Sequence, residues 1–206
     1  MIRSSLLIAV ASVAVSGCAL LSSPDPVQLY RFGGASAFAG TGATSACPDV
    51  QVSMRRVEFP EASRGDRVLA VTGAEAAYIK GARWVSPAET LFEESLRNAF
   101  LDGATCTVLS SGPLTRDGLL LSVDVRRFEA AYAAPGAVPD ANIVVLLRLV
   151  RPGDRSIVAE DRISVSESAG ENRQSAIVAA FDRATAEASR QIVLWTDQQG
   201  FQATRS

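Results

Sequence analysis

Histidine is missing from all 206 residues of the chain. Its absence removes the commonest general base, the usual metal ligand, and every Ser-His-Asp or Cys-His arrangement. A basic excess is missing too: 20 Lys and Arg face 22 Asp and Glu, a formal charge of −2, with no run of cations along the chain. A nucleic-acid partner is therefore not expected. No apolar run approaches the roughly 20 residues that a transmembrane helix needs. Gly40-Thr41-Gly42 lacks the third glycine, the lysine and the preceding apolar strand of a dinucleotide or Walker fingerprint. Asp124, Glu129 and Asp161 are the carboxylates that a hydrolase reading would use, but they fall in alternating strands that read as solvated faces. We therefore expect no catalytic residue, no metal and no cofactor.

What is present begins with a leader. Arg3 gives a positive n-region and residues 6–15 a short apolar h-region, followed by small residues at Ser16 and Gly17. Val15-Ser16-Gly17-Cys18 resembles the lipobox of bacterial lipoproteins. In that motif the cysteine takes a diacylglycerol thioether, the preceding peptide is removed, and the new N-terminus is acylated with a chain such as palmitate. Cys18 is thus the expected lipidation site, and the charge becomes −3 once Arg3 has left with the leader. More than one acyl chain satisfies the two-signal requirement for stable anchoring. Residues 19–28, with Ser22-Ser23-Pro24-Asp25-Pro26, read as a tether.

Two of the three cysteines remain, Cys47 and Cys106, in a compartment where disulfides persist. We expect them to pair; the alternative is two separate buried thiols, because spacing alone does not set the Cα separation. With 48% hydrophobic and 20% charged residues, the mature chain has enough apolar material for one ordinary globular domain.

Alternation and turn residues predict strands over 27–32, 50–59, 67–72, 76–84, 105–109, 119–128, 142–150 and 156–165. The second has a phase change at Arg55-Arg56 that suggests a bulge. Between these strands, 33–46 reads as a mobile Gly/Ala-rich loop, and 130–140, carrying Tyr132, as an exposed one. Ser86-Pro87-Ala88-Glu89 has the form of a capping box with proline at the first helical position, and it predicts a helix over 87–102. Phe92, Leu96, Ala99 and Phe100 fall on its apolar face. A second helix is expected over 172–198, with Ile177, Phe181, Ala184, Ala188, Ile192 and Trp195 in one stripe. The fold class that follows is α+β, a mainly antiparallel sheet with two helices packed on one face. The expected organisation is 1–17 leader, 18–28 lipidated tether, 29–199 domain and 200–206 flexible tail.

Landmarks along this chain resemble a known family. Leu29-Tyr30, Val57-Glu58-Phe59-Pro60, Arg83-Trp84-Val85-Ser86-Pro87 and a final Ala-rich helix closing at Trp195 occur in the order seen in ABC-type transport auxiliary lipoproteins. These include the paraquat-inducible C-like partners of MCE-type (mammalian cell entry) lipid transport systems. The chain departs from the family pattern after Pro60, where Glu61-Ala62-Ser63-Arg64-Gly65-Asp66 replaces an aromatic-leucine-aspartate stretch.

The resemblance implies a non-catalytic outer-membrane lipoprotein facing the periplasm. Its partners would be a periplasmic MCE protein with its ABC permease and ATPase, and its cargo phospholipid or a related lipid. It also implies Trp84, Pro87 and Trp195 as positions for partner or lipid contact, and a homo-oligomer that could cap a ring-shaped MCE protein. Ala19, in place of an inner-membrane retention aspartate, fits outer-membrane sorting. The alternative reading is a structural or assembly lipoprotein of an envelope complex that does not handle lipid.

Overall fold

The computed structural model describes residues 26–38, 47 and 49–205. Eight strands and two helices follow in the order β1 (Gln28–Tyr30), β2 (Val50–Met54), β3 (Arg67–Thr72), β4 (Glu75–Trp84), α1 (Ala88–Gly103), β5 (Thr107–Leu109), β6 (Leu119–Tyr132), β7 (Asp140–Arg151), β8 (Ser156–Ser168) and α2 (Gln174–Ala203). The expected leader, Cys18 and most of the expected tether lie outside the described residues, as do 39–46 of the expected mobile loop.

β6 is the axis of the sheet. Along one edge it pairs antiparallel with β7, which pairs antiparallel with β8. Its other edge is divided between two partners. β2 runs parallel to Leu119–Leu121, a bridge joins Glu58 to Asp124, and β3 runs parallel to Ala130–Tyr132. β5 extends the sheet beyond β2, and β4 and then β1 extend it beyond β3.

The sheet is therefore mixed, not mainly antiparallel: β1–β4, β2–β5, β2–β6 and β3–β6 are parallel. Alternation places side chains on faces identically in both directions, so it carries no information about strand direction. Sequence marks direction only at hairpins. The β3–β4 hairpin is legible from Gly73, which takes φ +60°. The parallel pairs join strands distant in sequence.

One face of the sheet is apolar and the two helices cover it. Leu121, Val123, Ile143, Val145, Leu149 and Ile163 from the sheet pack with Leu91, Phe92 and Leu96 of α1 and with Ile177, Phe181 and Ile192 of α2 in a single core. α2 is buried over more than the expected stripe, since Thr185, Ser189 and Val193 are also enclosed. α1 packs against α2, so one flank of that helix meets another helix and not water.

The strand expected over 50–59 ends at Met54 and the one expected over 156–165 runs on to Ser168; three further differences from expectation each have a tertiary reason. The capping box does not form: Pro87 is the N-cap and no side chain caps α1. Carbonyls of the 64–65 loop do the work instead, with the Ala88 N–H donating to Gly65 O at 2.9 Å and the Glu89 N–H to Arg64 O at 3.2 Å. β6 runs on to Tyr132 and β7 starts at Asp140, so the exposed loop shortens to 133–139. Ala130, small enough for either environment, is fully buried where β3 and β7 flank it. Finally, α2 continues through Ala203, where a flexible tail was expected from 200. Gly200 sits so close to Thr107 and Val50 that an added Cβ would lie 2.9 Å from Thr107 Cγ2.

The first loop is held by a contact of long sequence separation. Asp182 Oδ1 on α2 accepts the N–H groups of Gly33, Gly34 and Ala35 at 2.7, 2.9 and 3.2 Å. Gly33 has φ +85°, and an added Cβ would meet Ser95 Cβ at 3.1 Å. Asp182→Ala leaves three donors without their shared acceptor, and we expect a loss of about 2 kcal/mol. Urea unfolding measures the loss, and amide exchange at residues 33–35 should quicken.

Candidate functional site

The sheet face opposite the helices is solvent-exposed over part of its area. Along β7 and β8 it presents the residues that alternate with the core: Leu146 and Arg148, and across from them Glu160 and Arg162. β6 adds Ser122 and Asp124. The segment after β2 forms a wall. The Arg55 N–H donates to Leu121 O at 2.9 Å, the Glu58 N–H to Val123 O at 3.0 Å, and the Val125 N–H back to Glu58 O at 2.9 Å. The phase change at Arg55-Arg56 is thus a bend that keeps Val57 in the core while both arginines face solvent.

Between this wall and the strands lies an open groove of about 590 Å³. Eight of its twelve lining residues are charged: Arg55, Arg56, Arg148 and Arg162 with Glu58, Asp124, Glu160 and Asp161. Some of these charges pair locally. Arg148 Nε meets Glu160 Oε1 across the β7–β8 ladder, Arg126 Nη1 meets Asp124 Oδ2 at 3.0 Å, and Arg56 Nη2 reaches Glu89 of α1 at 2.7 Å. Exposed pairs of this kind contribute about 0–1 kcal/mol, so they can be exchanged for a partner's charges at little cost. Of the three carboxylates singled out in the sequence, Asp124 faces this surface, while Asp161 borders the groove from the position opposite core Leu147.

On the helical side, the Arg190 guanidinium bound to Glu187 at 2.7 Å holds that carboxyl below the usual carboxylate range, against the opposing effect of partial burial. Burial pushes the Tyr132 phenol up; its hydroxyl donates to Asn172 Oδ1 at 3.1 Å. Among the described residues no group of three or more His, Cys, Asp or Glu could hold a metal ion. Among them, too, no helix is long and apolar enough to cross a membrane.

The residues expected from sequence are scattered. Trp84 is 2% exposed inside an aromatic cluster with Phe32 and Phe181. It ends β4 on the inward-facing side, which is why it is core. Pro87 is exposed at the start of α1, and Trp195 is half-buried on α2. The three do not form one surface with the groove.

Cys47 and Cys106 are joined by a disulfide with a Cα–Cα distance of 5.4 Å. Beside it the Asp197 carboxylate, 6% exposed, accepts from the Thr105 N–H at 2.7 Å, the Cys106 N–H at 3.2 Å and the Thr105 and Thr107 hydroxyls. Sequence reasoning missed both Asp182 and Asp197, since nothing local distinguishes an inward carboxylate on α2 from a solvated one. It also missed the groove, for which the charged run Glu160-Asp161-Arg162 of β8 was a hint.

No curated protein matches in sequence. Protein XCC0632 from Xanthomonas campestris, of the family DUF330, is 26% identical with a TM-score of 0.69, over 78% of this chain and 92% of that one. An uncharacterized protein of known structure is 17% identical with a TM-score of 0.62, over 82% of this chain and 98% of its own, and shares the fold. The family model for the ABC-type transport auxiliary lipoprotein component matches residues 35–193. With the mixed sheet, its two covering helices and a match over most of its length, the chain belongs to the ABC-type transport auxiliary lipoprotein components.

Proposed function

We propose that this protein is the outer-membrane lipoprotein of an MCE-type ABC transport system, anchored through acylated Cys18, and that it docks the periplasmic MCE component without doing chemistry itself. The system moves phospholipid or a related hydrophobic substrate between membranes. Family membership supports the transport role. The lipobox residues support the anchor, and Ala19 supports outer-membrane sorting.

The observation that carries the docking role is the composition of the open groove. A pocket that holds an acyl chain is walled mainly by apolar side chains. This groove has charged residues at eight of twelve positions, four of each sign. Such a surface suits a protein partner with a complementary pattern, where charge sets register and approach more than affinity. The protein accordingly guides the MCE component to the membrane, and the lipid travels within the partner.

Capture of the MCE protein from the same genome on the immobilised acylated chain tests this reading. Arg55→Glu combined with Arg148→Glu should weaken capture about tenfold or more, since two cations become like charges facing the partner. Equal capture by the double variant would remove the groove from the docking role. Failure of the unmodified protein to retain any MCE protein would sink the function itself.

A further inference from the structure

We infer that the outer surface of β1 and the end of β4 is a membrane-contact face, which lays the domain against the phosphate headgroups of the bilayer that anchors it. This inference rests on the anchor proposed at Cys18. It adds an orientation that neither the anchor nor the family supplies.

Among the described residues β1 is a sheet edge, paired only with β4, in a register that sets Leu29 opposite Arg83 and Tyr30 opposite Trp84. Tyr30 and Trp84 point to the helical side, where the Tyr30 hydroxyl donates to Gln174 Oε1 at 3.2 Å and Trp84 is core. Leu29 and Arg83 therefore face outward. Since Arg83 is also the cross-strand partner of Arg67, one row across three strands reads Leu29, Arg83, Arg67. The ladder continues, because the Val85 N–H donates to Tyr30 O at 2.8 Å, and this brings exposed Arg31 alongside Val85.

Three aliphatic side chains stand out at this corner: Val27 is 49% exposed, Leu29 56% and Val85 53%. Isolated exposed aliphatics are common on protein surfaces, but three at one edge backed by arginines form a pattern. Arg83 is paired with Asp66 at 2.8 Å and Arg67 lies over the Tyr78 ring at 3.7 Å, while Arg31 has no ion-pair partner among the described residues. Aliphatic groups that enter the headgroup layer, with arginines reaching phosphate behind them, are the composition of an interfacial contact.

The occupant is fixed by where the chain leaves the domain. Only eight residues separate Cys18 from Val27. Fully extended, that stretch reaches about 30 Å at most. A domain of this size has a radius of gyration of about 16 Å, so it is wider than the connection is long. The corner bearing Val27 and Leu29 is therefore the part held closest to the acylated cysteine. A protein partner could reach any face of the domain, but the bilayer must be near this one.

A photo-crosslinking amino acid placed at Leu29 in the full acylated chain, reconstituted into vesicles of mixed phosphatidylethanolamine and phosphatidylglycerol, tests the inference. The same probe at Leu101, 79% exposed on α1, is the control. Illumination should give phospholipid adducts at position 29 in several-fold higher yield than at 101, and Arg31→Glu should lower the yield at 29. Equal yields at the two positions, with the protein still floating with the vesicles, would overturn the contact face and leave the anchor intact. Adducts at 29 to a second copy of the chain in place of lipid would overturn it as well. Failure of the acylated chain to float at all would remove the anchor, and this inference with it.

Discussion

Phe128→Ala is expected to lower the unfolding free energy by about 4 kcal/mol, the middle of the range for truncating a fully buried phenylalanine. Phe128 is 2% exposed, and its ring centroid lies 4.8 Å from that of Phe181, 5.2 Å from Phe32, 5.5 Å from Phe59, 6.3 Å from Phe92 and 6.4 Å from Trp84. Those partners come from the loop after β1, the segment beyond β2, the end of β4, and both helices. A void here cannot be filled by moving one neighbour, because each is fixed by a different element. The residue reaches this place through the register shift between Val125 and Arg127, which turns inward-facing odd positions into inward-facing even ones. Urea unfolding should show a lower midpoint with an unchanged slope, and the melting temperature should drop on the order of 10 °C. Phe128→Leu, which keeps most of the volume, should cost markedly less. A loss under about 1 kcal/mol for the alanine variant would show that the cluster is not packed as described.

Replacing both Cys47 and Cys106 by serine is expected to cost about 4 kcal/mol. The disulfide spans 59 residues of sequence, and in the chain-entropy model a loop of that size restricts the unfolded chain by about this amount. The loss should appear first near β5. That strand has three residues and, among the described residues, pairs only with β2. Without the disulfide it relies on that short parallel ladder and on the Asp197 carboxylate, so amide exchange at residues 107–109 should rise before the rest of the sheet opens. Thiol titration of the denatured, unreduced protein checks the premise directly. It should find neither Cys47 nor Cys106 free, and two free thiols would contradict the pairing.

The elements were legible where the chain speaks locally. Phe92, Leu96, Ala99 and Phe100 recur at helical spacing and are all buried. The β3–β4 turn is visible in Gly73, and the bend after β2 in the lost phase at Arg55-Arg56. The candidate surface was less legible. Asp124 and Asp161 read only as solvated positions, since a groove exists only once β2, β6, β7 and β8 lie side by side. Trp84 was ambiguous for a related reason: a tryptophan before a helix has the same appearance in sequence whether it anchors a partner or a core.

The stretch Val15-Ser16-Gly17-Cys18, the missing histidines and the alternating strands belong to the sequence alone. They are local or compositional properties, and they point to an anchored α+β domain without familiar catalytic equipment. Strand direction, the caps of α1, the extra turn of α2 and the roles of Asp182 and Asp197 were decided only by the tertiary structure. Asp182 meets its donors from 147 to 149 positions away and Asp197 from 90 to 92. Backbone donors and small carboxylates carry no mark of their partner in the sequence. The pairing is set by which surfaces the apolar core brings together, and that is a property of the whole chain.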